Sequence, residues 1–240
     1  MEMIEVEKLE KKYLDKVFHF LKYIEDELLA SFQSGKKIED DWKEFWGAKE
    51  GGISSFSTGF ERVIYNYFNS KSISGEVNSS PVASDLFFET KDAFIHIDVK
   101  TVQTRNIGDI SNSIFIGLNQ NSYEAIMKTR NGERKYTPAI PKIYSNGKIS
   151  LSYFLTILYD DKTLEILNIN FISMPNGLLE PHYKSRPLKA GKLKTEARFN
   201  FKEVSRFEIL TNQPSRIKVV YLAPNISEEH KKKLKLFFEL

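Results

Sequence analysis

The stretch SDLFFETKDAFIHIDVKT, residues 84–101, restricts the fold more than any other part of this chain. It holds two short β-type runs, Asp85–Glu89 and Phe94–Thr101, separated by a tight polar turn. Side chains alternate between the two faces of a strand. Ile95, Ile97 and Val99 therefore share one face of the second run, and His96, Asp98 and Lys100 share the other. In the first run Leu86 and Phe88 oppose Asp85, Phe87 and Glu89. A turn centred on Lys91-Asp92 sets Asp85 directly across from Asp98, with Cβ atoms about 4.5–5.5 Å apart.

Two carboxylates that close repel each other unless a cation lies between them or one holds a proton. A pair of carboxylate oxygens suits Mg²⁺, which completes its shell with water and substrate phosphate. Lys100 lies on the same face, two residues beyond Asp98. Its ammonium can stabilise charge on a pentavalent phosphorane, or orient and help deprotonate an attacking water. Acid-x-Lys by itself says little, because it occurs seven times in the chain. Only Asp98-Val99-Lys100 ends an apolar strand whose hairpin partner begins with an acid. The plainer alternative is a surface ladder of ion pairs on an ordinary hairpin.

Around this hairpin the periodicity describes an α/β chain with a mixed central β-sheet flanked by helices, read as one domain over 1–240. Residues 4–34 carry Val6, Leu9, Tyr13, Val17, Phe20, Ile24 and Leu28 at helical spacing, with charges on the opposite face and Gly35 as the stop. A Gly/Ser-rich loop leads to a second helix from about Thr58, bearing Phe60, Val63, Ile64, Tyr67 and Phe68, with Glu61 bordering that face. A helix is expected around Asn121–Thr129, and Asn131-Gly132 marks a turn. Ile149–Tyr159 and Thr163–Ile172 read as a hairpin turning at Asp160-Asp161, with later strands at Glu208–Leu210 and Arg216–Leu222. After Pro224, Ser227 can cap a last helix that Glu228 and Glu229 suit at its positive end.

The hairpin motif resembles the PD-(D/E)xK nuclease superfamily, and within it the EcoRV/HincII-like type II restriction endonucleases. SDLFFETKDAFIHIDVKT carries the likeness, together with GFERVIYNYF upstream, which is similar to the family's acid-bearing helix. The likeness covers roughly residues 57–105 and departs in having Ser84 where a proline commonly precedes the first Asp. It implies a restriction-endonuclease-like core over 57–130. Asp85, Asp98 and the Val99 carbonyl would hold Mg²⁺, Lys100 would be the catalytic lysine, and Glu61 would support the site. The implied activity is hydrolysis of both strands of double-stranded DNA at a short palindromic site. A junction- or flap-cutting repair nuclease on the same core, or a non-catalytic DNA-binding protein, are the competing readings.

Two segments are candidates for touching DNA. Residues 101–122 hold Gln103, Asn106, Asn119, Gln120 and Asn121, and amides can read adenine in the major groove. Residues 184–206 carry eight bases against Glu196 and Glu203. Within the 180–206 segment Lys184, Arg186, Lys189, Lys192 and Lys194 are the expected phosphate contacts. Cutting a palindrome in one binding event calls for a two-fold homodimer, and the 4–34 helix is the expected interface, since Leu14, Phe18 and Leu21 widen its apolar stripe. His96 is read as a packed histidine, and the four histidines are scattered without metal-ligand spacing. With no G-x-x-x-x-G-K-[ST] or G-x-G-x-x-G stretch, a nucleotide cofactor is not expected. The chain has no cysteine, no signal-like start and no apolar run long enough for a bilayer, so a cytoplasmic location without membrane contact is expected.

Overall fold

A computed structural model of the chain describes residues 1–32, 53–70, 76–78, 85–129, 132–191 and 196–239. Six strands form the main sheet: β1 (Glu76–Asn78), β2 (Leu86–Glu89), β3 (Ala93–Gln103), β7 (Ile149–Tyr159), β8 (Ile166–Met174) and β11 (Ile217–Leu222), hydrogen-bonded in that order. β3 and β7 run parallel, and every other neighbouring pair in this sheet is antiparallel. The sheet is therefore mixed. β7 and β8 are buried along their whole length, which explains their near-continuous apolar runs.

The register of the first hairpin follows the alternation read from the sequence. Leu86 pairs with Ile97, Phe87 with His96 and Phe88 with Ile95. The strand opens at Leu86, leaving Asp85 in the bend before it. Across the parallel pairing, Asp98 lies beside Phe154 and Lys100 beside Thr156.

Helices cover the face that carries Ile95, Ile97 and Val99. α1 (Met3–Tyr23) lies against it, and the Tyr153 hydroxyl donates to the Glu10 carbonyl at 2.9 Å. The chain breaks at Ile24, where the backbone leaves helical geometry at φ −98° and ψ 10°, and a second helical stretch, α2, covers residues 25–32. α3 (Ile53–Ser70) starts earlier than Thr58 and packs Phe60 near Tyr159 and Phe68 near Phe88. The opposite face meets a small sheet, β4 (Ile114–Ile116), β10 (Ala197–Phe199) and β9 (Leu188–Ala190), through Phe154 and Phe199. A short helix α4 (Glu180–Tyr183) follows the main hairpin. α5 (Glu228–Lys233) closes the chain, with the Ser227 hydroxyl accepting from the His230 N–H at 3.2 Å as expected of its cap.

Several expectations are corrected. Residues 125–129 are not helical: β5 (Ala125–Thr129) pairs antiparallel with β6 (Gly132–Tyr136), so cross-strand bonding outweighs the helix propensity of Ala, Met and Lys. Glu208–Leu210 forms no strand, because the N–H groups of Ile209 and Leu210 donate to the Glu7 carboxylate at 2.9 and 3.1 Å instead of to a ladder. The charges of α1 are not all on a solvated face, since Glu7 and Glu10 are buried against Arg216. Leu14 and Leu21, taken as surplus apolar surface for a dimer, are wholly buried in the chain's own core, and Phe18 packs against it. That stripe therefore provides no free dimer face. Gly35, Ser84, Asn131, Lys192 and Lys194 lie outside the described residues. Among the described residues no helix is long and apolar enough to cross a membrane.

Candidate active site

β2 pairs with β3 only over Phe94–Ile97, while β3 runs on to Gln103. Past Ile97, β3 has no strand partner on that edge among the described residues. Asp85 fills the first vacancy. Its Oδ2 accepts the Val99 N–H at 2.6 Å, so a carboxylate stands where the next ladder acceptor would be. In an antiparallel ladder a residue's N–H and C=O point to the same side. The Val99 carbonyl thus turns to the same open edge, beside Asp85.

Asp98 projects from the face opposite the helices and is almost fully buried. Its Oδ1 accepts from Gln120 Nε2 at 2.6 Å. Its Oδ2 faces the Lys100 ammonium in a close ion pair that also hydrogen-bonds it. Burial pushes the Asp98 carboxyl up to about 6 and the nearby Asp85 charge adds to the rise, while Lys100 opposes it. Burial raises Asp85 too, against the Val99 hydrogen bond and Lys100. Two carboxylates held above their ordinary range, with one lysine between them, form a site short of positive charge.

These donors suit a hard divalent cation. Two carboxylates and a backbone carbonyl are oxygen ligands of the kind Mg²⁺ takes, and the pair is under-compensated without one. No group of three His, Cys, Asp or Glu side chains with metal-binding geometry occurs among the described residues. The remainder of such an ion's shell would be backbone oxygen, water and phosphate.

The structure brings together Asp85, Asp98, Val99 and Lys100 of the expected site. Glu61 belongs to a helix on the other face of the sheet. It sits partly buried in α3, beside Phe60, and α3 packs on the face opposite the one bearing Asp98 and Lys100. His96 is buried as read from the sequence: its Nε2 lies 3.0 Å from the Tyr144 hydroxyl, and burial lowers its pKa to about 4, so it stays neutral.

The amide candidates separate. Gln103, half-buried, meets the Tyr159 hydroxyl, while Asn106 and Asn119 are exposed. Asn121 is wholly buried, giving its Nδ2 hydrogens to the Gly117 carbonyl (3.2 Å) and the Tyr136 hydroxyl (2.8 Å) while its Oδ1 accepts the Tyr123 N–H at 3.0 Å. It has nothing left with which to read a base. Gln120 is turned inward to Asp98 and Lys100 rather than outward. Sequence reasoning had these amides as a group facing DNA. Only the three-dimensional path of the loop decides which of them folds back.

The basic segment is likewise divided. Lys184 and Lys189 are exposed. Arg186 is held by Glu208 through two bonds of 2.7 Å, and Glu208 also lies 3.0 Å from His182 Nε2. Arg198 is tied to Ser113 and Asp109. Distant parts of the chain meet here: Arg198 of β10 pairs with Phe115 of β4 on one side and Lys189 of β9 on the other. Their small sheet borders a cleft of about 340 Å³ that Lys100, Thr101 and Val102 line from β3.

Two family models match the chain: the N-terminal domain of type II restriction enzyme MwoI over residues 2–163, and the central domain of the same enzyme over residues 166–222. Their boundary falls in the turn between β7 and β8, which are hydrogen-bonded neighbours in one sheet. Among solved structures, the chain is similar to the restriction endonuclease BglI bound to its DNA recognition sequence. That match has TM-score 0.66 and 17% identity, covering 89% of this chain and 90% of that one. It is also similar to the tetrameric restriction endonuclease SfiI bound to cognate DNA, with TM-score 0.70 and 13% identity, covering 94% of this chain and 88% of that one. No curated protein matches it. At these identities the two structures speak for a shared restriction-endonuclease fold, and they do not test the EcoRV/HincII subdivision that the hairpin motif suggests.

Proposed function

The chain belongs to the MwoI family of type II restriction enzymes and is a site-specific deoxyribonuclease, and from that premise we propose that it cuts both strands of duplex DNA at the open end of the β2–β3 hairpin. The observation that carries this reading is the meeting of Asp85, Asp98 and Lys100 where β3 runs on past β2, with two buried or half-buried carboxylates sharing the one Lys100 ammonium. Buried charge left so poorly compensated costs stability, and a chain keeps it where a ligand or a reaction uses it.

Asp85, Asp98 and the Val99 carbonyl would hold Mg²⁺, which when bound polarises the scissile phosphate and acidifies a water. The protein's own groups do the rest. Lys100, held against Asp98, keeps an ammonium at the point where negative charge builds on the phosphorane oxygens, and it can orient the attacking water. The Val99 N–H fixes Asp85, so the carboxylate needs no reorganisation as the reaction proceeds. Phosphate contacts from the exposed Lys184 and Lys189, together with Lys192 and Lys194, would position the duplex. The exposed Asn106 and Asn119 would meet base edges, and Gln103 would do so on leaving the Tyr159 hydroxyl. Glu61 would support the site only from across the sheet.

A palindromic duplex presents two equivalent phosphodiesters, and one carboxylate cluster serves one of them at a time. A homodimer, or a larger even assembly, follows from that symmetry. α1 contributes its apolar stripe to the monomer's core, so a contact through this helix would use its other face, where Met3 and Ile4 are exposed.

Incubating the protein with long duplex DNA and Mg²⁺ tests the proposal. Discrete fragments that end at one recurring sequence are expected, and none should form in EDTA. Cleavage confined to branched substrates, or intact DNA with only a salt-sensitive shift in mobility, would contradict it.

A further inference from the structure

We propose that Gln120 is a positioning residue of the cleavage centre, one that holds the Asp98 carboxylate and the Lys100 ammonium in a fixed relation. The inference rests on reading Asp85, Asp98 and Lys100 as that centre. Gln120 Nε2 donates to Asp98 Oδ1 at 2.6 Å, and its Oε1 accepts from Lys100 Nζ at 3.3 Å and from the Gly117 N–H at 2.7 Å. The backbone contact settles which way the amide faces: an N–H can donate only to the oxygen, so the nitrogen end must meet Asp98. One side chain therefore supplies a donor to the acid and an acceptor to the base, matching the charges both carry in the working site.

The turn behind Gln120 is built to keep it there. The Gly117 carbonyl accepts from the Tyr136 hydroxyl at 2.9 Å, from Asn121 Nδ2 at 3.2 Å and from the Gln120 N–H at 3.3 Å. The neighbouring Leu118 carbonyl accepts from the Ala139 N–H at 2.7 Å. Tyr136 and Asn121 are buried, so these bonds are shielded from competing water. A loop with four residues tied in this way delivers an amide to the site with little freedom to move. Groups that orient a metal-binding carboxylate affect metal affinity or turnover by about 10- to 100-fold when removed. Asp98 with only Lys100 to fix it would lose that preorganisation, and Lys100 would lose an acceptor that keeps it from collapsing wholly onto the acid.

Gln120→Ala and Gln120→Glu, compared with wild type and Asp98→Ala, test the assignment in the full-length protein. Three quantities are read: Mn²⁺ affinity by calorimetry without DNA, the single-turnover rate at saturating Mg²⁺, and affinity for a duplex carrying the mapped site in metal-free buffer. Gln120→Ala should weaken Mn²⁺ binding and slow cleavage, each by about 10- to 100-fold, with unchanged duplex affinity and cut sites. Glutamate keeps an oxygen for Gly117 and Lys100 but cannot donate to Asp98. The rate of Gln120→Glu should therefore stay as low as that of the alanine variant, whereas a residue that merely props the loop would be rescued. Wild-type rate and Mn²⁺ affinity in Gln120→Ala, rescue by glutamate, or lost duplex affinity with metal binding intact would each overturn the role. If Asp98→Ala itself binds Mn²⁺ and cleaves like wild type, the reading of the centre fails, which is a different outcome from failure of Gln120 alone.

Discussion

Two clusters of buried charge sit on opposite faces of the same sheet, and they are wired in contrary ways. On the helical face Glu7 accepts from Arg216, the Tyr183 hydroxyl and the Ile209 and Leu210 N–H groups, while Glu10 accepts from Arg216 at 2.6 Å and the Asn176 N–H at 2.6 Å. Every carboxylate oxygen there has a directed donor. On the other face Asp98 has one donor per oxygen, Gln120 on Oδ1 and Lys100 on Oδ2, and the same Lys100 is the cation beside Asp85. Burial pushes both Glu10 and Asp98 up to about 6, so a displaced titration does not tell the two clusters apart. The number of donors converging on each carboxylate does, with four on Glu7 against two on Asp98. The saturated cluster ties α1 to the segment before β11 and holds the fold. The unsaturated one is where a cation and a phosphate have something to gain.

The sharpest way to break this comparison is to truncate each cluster and read both activity and stability. Asp98→Ala should lower single-turnover cleavage by about 10³-fold or more while leaving the melting temperature unchanged or raised. Lys100→Ala should cut activity as far but lower the melting temperature, because it leaves the buried Asp98 without its cation. Arg216→Ala should do the reverse. Removing the shared cation strands two buried glutamates, at a cost of about 3–5 kcal/mol in unfolding free energy by denaturant titration, while the fraction that remains folded cuts at the normal rate. A normal melting curve for Arg216→Ala would erase the distinction between the clusters.

A finer test uses pH. The folded state holds the Asp98 proton more tightly than the unfolded chain does, so in metal-free buffer stability falls as pH rises from about 4 to about 6, and the penalty is complete above that. Asp98→Asn lacks this slope. Its advantage in unfolding free energy should be small at pH 4 and grow until about pH 6–7, reaching at most about 3 kcal/mol. Glu10 contributes the same slope to both proteins and cancels from the difference. The smallest expected effect concerns the exposed basic residues. Lys189→Ala should reduce the salt dependence of DNA binding by roughly 0.9 in the log–log slope if it meets one phosphate, and an unchanged slope would place β9 away from DNA.

The unsaturated cluster was legible in the sequence and the saturated one was not. Period-two alternation fixes faces and register over a short hairpin, so Asp85, Asp98 and Lys100 could be placed together from residues 85–100 alone. Glu7 and Glu10 look like surface charges of an amphipathic helix. Yet Glu10 follows Val6 by four positions and precedes Tyr13 by three, which sets it on the buried face. What hides it is that its partner, Arg216, lies more than two hundred residues away. Gln120 fell between these cases. Its amide character and its place after the catalytic strand were visible, but not that the Gly117 turn folds it inward. The β5–β6 pairing had a local signal in Asn131-Gly132 between two runs, a hairpin signature that the helix-forming residues of 125–128 masked.

The central claim is that the open end of the β2–β3 hairpin is where the enzyme holds its cation. Crystals grown with a duplex carrying the cleavage site and soaked in Mn²⁺ would show the ion directly by its anomalous scattering. A peak in contact with the Asp85 and Asp98 carboxylates, absent from crystals of Asp98→Ala, is the predicted result. A peak elsewhere on the protein, with none between those two side chains, would contradict it.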